Sequence, residues 1–158
     1  MDFLIKEHKE MLFRLIDFKV EFMLIGGYSV IYYGYSRGTE DMDIWLKPDN
    51  LNKLKLIDAF TSLGILQPDI DKLKTIDFTM PQVFFIGKKP LKIDFLTRVQ
   101  GVTWEEAMPA IRTFPLGETM IPVVSYQHLI TMKMVSPRDR DKNDVEQLQK
   151  INKFRKRI

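Results

Sequence analysis

Leu4, Ile5, Met11, Leu12, Leu15, Ile16 and Val20 recur at helical spacing among Lys6, Glu7, Lys9, Glu10 and Arg14, which predicts a helix over 3–18. Phe22-Met23-Leu24-Ile25 is a short apolar run closed by Gly26-Gly27, the pattern of a buried strand entering a tight turn. Residues 28–33 read as a short helix and 34–40 as a loop. Residues 41–46 alternate polar and apolar, so they read as a strand, stopped by Lys47-Pro48. Asp49 or Asn50 caps the next helix, whose Leu51, Leu54, Ile57 and Phe60 point one way.

Residues 82–86 and 91–97 are two further strands, joined by the hairpin turn Gly87-Lys88-Lys89-Pro90. Thr103-Trp104-Glu105-Glu106 has the form of a capping box, and 119–124 reads as a last strand. Ser125 caps a helix through Val135, and Asp139 or Asp141 caps a final one. Phe78, Phe84, Phe85 and Phe95 read as core. His8 and His128 read as surface or helix positions, since neither has metal-ligand company. The fold class is α/β (α+β): a small mixed or antiparallel-edged sheet flanked by helices, in one domain over 1–158.

Composition narrows the field. The chain has 158 residues and no Cys, which excludes a disulfide framework, a zinc ribbon and thiol catalysis. The first ten residues are charged throughout and lack a signal peptide's apolar stretch, and no run approaches a membrane span, so a cytoplasmic location is expected. Net charge is +3, but 142–158 carries six basic and two acidic residues, net +4, which leaves −1 for the body. The basic tail suits a helix C-terminus. An RNA backbone is the alternative partner, with only Phe154 interleaved.

The chemistry concentrates in Gly26-Gly27-Tyr28-Ser29 and Asp41-Met42-Asp43. A strand that ends in two glycines and turns into a helix presents backbone N–H groups to an anion, and Ser29 offers a hydroxyl donor. Asp41 and Asp43 are two apart on a strand, so both carboxylates face the same way. Two carboxylates on one face repel unless a cation sits between them, and oxygen-only ligands suit Mg²⁺, with Mn²⁺ as a substitute. Asp94 lies on the strand face opposite Leu91, Ile93 and Phe95. If its strand neighbours 41–46, the three carboxylates meet, a grouping able to hold metal across a phosphate and take a proton from a hydroxyl.

The string Leu24-Ile25-Gly26-Gly27-Tyr28-Ser29, then Asp41-Met42-Asp43-Ile44, then Ile93-Asp94-Phe95 resembles the polymerase-beta-type nucleotidyltransferase superfamily. Arg37-Gly38-Thr39-Glu40-Asp41 resembles the small stand-alone bacterial members related to toxin–antitoxin nucleotidyltransferases. So does the ending Leu129-Ile130-Thr131-Met132-Lys133, Arg138, Arg140-Asp141, Asp144-Val145, with Arg140 in place of the commoner Lys. The resemblance implies transfer of a nucleoside monophosphate from an NTP such as ATP to an acceptor hydroxyl, with Mg²⁺, releasing pyrophosphate. It assigns metal and catalysis to Asp41, Asp43 and Asp94. It assigns nucleotide contacts to Gly26, Gly27, Ser29, Arg37, Thr39 and Lys133. Gly27 stands where many members have Ser, and the larger relatives' C-terminal acceptor domain has no counterpart.

Plainer readings compete at single positions. A glycine pair is common at strand ends, Arg37 reads as solvent-exposed, and Lys133 snorkels from an apolar helix face. Asp141 and Asp144 read as caps and ion-pair partners, and Tyr28, Tyr32, Tyr33 and Tyr35 as packing with one ring free for a base. The acceptor implied is RNA (a tRNA end included), a protein or a small molecule. A homodimer or a cognate partner protein would supply the missing acceptor domain. The alternatives are a catalytically weak nucleotide-binding protein of a toxin–antitoxin or defence pair, and a metal-dependent nuclease.

Overall fold

The computed structural model describes residues 3–39 and 41–157; Glu40 of the loop motif and the final residue lie outside them. In chain order the elements are α1 (Lys6–Asp17), β1 (Phe22–Ile25), α2 (Gly26–Tyr32), β2 (Asp41–Leu46), α3 (Asn50–Ser62), α4 (Gln67–Lys74), β3 (Val83–Ile86), β4 (Lys92–Leu96), α5 (Trp104–Ala107), a 3₁₀ turn (Met108–Ala110), β5 (Arg112–Leu116), β6 (Thr119–Val123), α6 (Tyr126–Met134) and α7 (Asp139–Arg157). The six strands form one mixed sheet in the order β3-β4-β2-β1-β6-β5. β1 runs antiparallel to β2 and parallel to β6, while β2 and β4 are parallel. Both outer hairpins, β3–β4 and β5–β6, are antiparallel. The expected sheet class is therefore the one observed.

Strand alternation divides the core into two layers. Phe22, Leu24, Met42, Ile44, Leu46, Ile93 and Phe95 pack on one face against Leu12, Leu15, Leu56 and Phe60 from α1 and α3. Met23, Ile25 and Trp45 pack on the other face against Trp104, Leu129, Ile130 and Leu148 from α5, α6 and α7. By the same alternation, Asp41, Asp43, Lys92 and Asp94 belong to this second face.

Three of the four expected helix caps hold; the fourth does not, because α7 begins at Asp139 and its first turn closes on the Arg138 carbonyl, which leaves Asp139 and Asp141 inside the helix. Asp49 accepts from the Asn52 N–H, Ser125 from the His128 N–H, and Thr103 with Glu106 closes the capping box. Two elements were not anticipated, α4 and β5. Four apolar assignments are corrected. Leu51 and Leu54 are 72% and 56% exposed, because α3 packs through Leu56, Ile57, Ala59 and Phe60 and through Asn52. Asn52 is buried because it accepts from the Glu21 N–H and donates to the Glu21 and Lys47 carbonyls. Phe85 is 63% exposed and Leu91 43%, since β3 is an edge strand and β4 begins at Lys92. His8 is a helix residue but buried, with its Nδ1 2.7 Å from the Tyr28 hydroxyl and its Nε2 3.2 Å from the Leu91 carbonyl. No described helix is long and apolar enough to cross a membrane.

Candidate active site

β1 passes into α2 with no intervening loop, because Gly26 takes φ +69°. A Cβ there would overlap Asp43 Oδ2 and sit 2.8 Å from its Cγ. A Cβ at Gly27 would lie 2.8 Å from the Thr39 Cβ. The glycine pair is thus the condition for bringing a bare backbone against a carboxylate and a hydroxyl.

Asp43 and Asp94 are direct register partners on the parallel strands β2 and β4, and Ile25 is paired with Asp43 from β1. Asp41 precedes Asp43 by two and is paired with Lys92. A cleft of about 510 Å³ opens over these strand ends. It is lined by Gly26, Gly27, Arg37, Thr39, Asp41, Asp43, Asp94 and Lys133, so all but one of the expected site residues meet there. The exception is Ser29, which is buried and donates to the Gly26 carbonyl at 2.6 Å. It braces the turn from behind.

The charges are unevenly compensated. Burial pushes the Asp43 carboxyl up to about 6, reinforced by the negative charges of Asp94 and Asp41 and opposed by Lys133 and Arg138. Asp41 Oδ1 is buried without a hydrogen-bond partner. Asp94 is paired with Lys92 Nζ at 3.2 Å, and that ammonium also stands 5.0 Å above the Phe85 ring. Among the described residues, no group of three or more His, Asp or Glu is spaced to hold a metal ion as it stands.

Arg37 and Lys133 are engaged elsewhere than expected for phosphate contacts. Arg37 Nε and Nη2 each donate to Asp144 at 2.9 Å. Lys133 Nζ lies 2.7 Å from Asp141 Oδ1 and 3.1 Å from Asp144 Oδ2. Burial alone raises the Asp141 carboxyl, but its bonds from Lys133, Ser136 and Arg138 outweigh that and hold it down at about 2. The pairing reading of Asp141 and Asp144 is the one observed. The loop itself is fastened by Arg37 and Arg140 donating to the Gly38 carbonyl and by Thr39 donating to the Asp41 carbonyl. Lys92 and Arg98 also line the cleft and were not anticipated. Lys92 was legible by alternation, two residues before Asp94; Arg98 lies past the end of β4 and carries no such signal.

Residues 5–158 match the model of a family described as "Nucleotidyl transferase of unknown function (DUF2204)". The chain belongs to that family. The match takes in the three strand carboxylates, the glycine turn and the α6–α7 ion-pair cluster. A search of the curated proteins finds no match.

Proposed function

We propose that this protein moves a nucleoside monophosphate from an NTP to an acceptor hydroxyl. The observation that carries this is Asp43 beside Asp94 on adjacent parallel strands, with Asp41 on the same face and the Gly26 backbone against Asp43. Asp41 and Asp43 are the residues to hold Mg²⁺. The donor set is oxygen only, which suits a hard cation, Asp41 Oδ1 is buried without a partner, and Asp43 is raised by burial and by its acidic neighbours. When bound, the ion supplies charge neutralisation for the triphosphate.

The chain's own residues account for the remaining work. Gly26 and Gly27 let the triphosphate approach the backbone without a side chain in the way. Arg98, Arg138 and Arg140 line the cleft as cations for its outer phosphates. Asp94 accepts the proton of the acceptor hydroxyl once Lys92 leaves it. The acceptor oxygen bonds to the α-phosphorus, the α–β bridging P–O bond breaks, and pyrophosphate departs with the electron pair. Arg37, Thr39 and Lys133 position the loop and α7 instead of holding nucleotide.

The Lys92–Asp94 ion pair favours a second reading, nucleotide binding without turnover, because it occupies the proposed base. Incubation with Mg²⁺, each α-labelled NTP and total RNA or cell extract separates the two. Transfer of label by the wild type and none by Asp43→Asn supports the enzyme. Nucleotide binding without any labelled acceptor establishes the second reading, and loss of RNA without incorporated label points to hydrolysis.

A further inference from the structure

A second groove of about 950 Å³ lies at the opposite end of the α6–α7 pair. It is formed between the end of α2, the segment 109–112, the start of α6 and the end of α7. The separation follows from the helix geometry. His128 lines this groove and Lys133 lines the active-site cleft, five residues or about 8 Å apart along α6. The loop 33–39 follows α7 between the two. Arg155 donates to the Tyr33 carbonyl at one end, and Arg140 to the Gly38 carbonyl at the other.

The chemistry of this groove is the reverse of the cleft's. Arg112, Arg155 and Lys156 line it, all exposed, and no Asp or Glu is among its described lining residues. Half-buried rings of Tyr33, Tyr126 and His128 stand among these cations. Tyr33 and Tyr126 are fixed in an edge-to-face pair with centroids 5.6 Å apart. Their hydroxyls are tied to backbone carbonyls, Tyr33 to Val124 and Tyr126 to Leu148. The rings are therefore preorganised, with little rotamer freedom left to lose on binding. His128 Nδ1 is buried without a hydrogen-bond partner. Cations free of carboxylates select a polyanion, and rigid aromatic rings among them select one that carries flat π-faces. A single-stranded nucleic acid has both properties; a duplex hides its faces, and an acidic peptide has none at each residue.

We infer that this groove binds single-stranded nucleic acid, and that it seats the acceptor strand whose end reaches the cleft. The seating half of the inference rests on the transfer reading; the binding half does not. Phosphates lie against Arg112, Arg155 and Lys156, and a base stacks on the Tyr126 side of the ring pair.

Fluorescence anisotropy tests it with a labelled RNA about 12 nucleotides long, its DNA counterpart and the matching duplex, all without NTP or Mg²⁺. The single strands bind and the duplex binds more weakly. The log–log salt slope is about −2 for three phosphate contacts at ~0.7 each. Arg112→Glu with Arg155→Glu weakens binding by at least about tenfold and flattens the slope. Tyr126→Leu weakens it several-fold with the slope unchanged, and Tyr126→Phe restores it. Absence of binding, indifference to the Arg pair, or equal affinity for the duplex overturns the inference. Preference of RNA over DNA reports recognition of the 2′-hydroxyl. Binding that persists while no NTP labels the oligonucleotide leaves the groove standing and overturns only its role as acceptor dock.

Discussion

Arg37 reaches across 107 positions of sequence to place two hydrogen bonds, each 2.9 Å, on the fully buried carboxylate of Asp144. Lys133 completes the group from the preceding helix, 3.1 Å from the same carboxylate. The loop leading into β2 is thereby fastened to α7, and Arg37 lines the cleft.

Removing Asp144 leaves the Arg37 guanidinium without its carboxylate, while Lys133 keeps Asp141. Asp144→Ala should cost about 3 to 5 kcal/mol, the usual penalty for orphaning one side of a buried pair. Arg37→Lys should lose much of the same stabilisation, because an ammonium cannot make the two parallel bonds to Asp144. The exposed pair Lys150–Glu146, with side chains 65% and 63% accessible, is the internal comparison. Glu146→Ala should shift stability by less than about 0.5 kcal/mol. Urea unfolding at neutral pH measures all three variants.

The surroundings of Asp43 disfavour its charged form. Burial, with the charges of Asp94 and Asp41, pushes its carboxyl from the ordinary 3.8 up to about 6, so folding is penalised at high pH, where the group is ionised in both states. The penalty develops as pH rises from about 4 to about 6. Asp43→Asn should therefore raise the metal-free thermal midpoint at pH 8, by an amount equivalent to roughly 2 to 3 kcal/mol. That gain should shrink toward zero below pH 4, and the same variant should lose nucleotide transfer. Melting curves with and without Mg²⁺ check it: the ion should raise the wild-type midpoint and leave the variant's nearly unchanged.

Asp141 has the opposite sign. Its carboxyl is lowered from 3.8 to about 2, so its contribution is complete above about pH 4 and disappears as pH falls through about 2. An acid titration followed by circular dichroism should show wild type losing structure over that window. Asp141→Asn should be destabilised at neutral pH and show a flatter acid limb, with the two proteins converging near pH 2.

Gly26 and Gly38 make a matched pair of substitutions. Gly38→Ala meets open space and should change stability by less than about 0.5 kcal/mol. Gly26→Ala combines positive φ with overlap of the Asp43 carboxylate. It should cost about 2 kcal/mol or more and depress transfer much further than stability, because the side chain it displaces belongs to the site. Parallel measurement of unfolding and of label transfer distinguishes the two effects.

The parts of this site that were legible in the sequence are the ones set by short-range periodicity. Asp41, Asp43 and Asp94 fall on one face because strands alternate, and that requires only two neighbouring segments to be strands. Helix starts at Asp49, Thr103 and Ser125 were legible for a similar reason, since a cap is complete within four residues. Helix α4 was not, because its eight residues bury only Ile70 and Leu73, too few for a period to emerge. Strand β5 contains Pro115, which argues against a central strand but is tolerated at the sheet edge that β5 occupies. The partners of Arg37 and Lys133 were hidden for a different reason. Both residues were singled out as phosphate contacts, yet which anion each meets is decided by how α7 folds back on the loop. The exposure of Phe85 likewise depends on β3 being the last strand, a property of the whole sheet.

The span between Arg37 and Asp144 also sets a timetable. At synthesis rates of about 5 to 20 residues per second, the ribosome makes the glycine turn and the acidic strand roughly 5 to 20 seconds before it makes the carboxylate that anchors their loop. Chains that end before Asp144 therefore carry the acidic strands without the Arg37–Asp144 brace on the loop beside them. Limited proteolysis should therefore cut such fragments within 33–39 faster than it cuts the full chain.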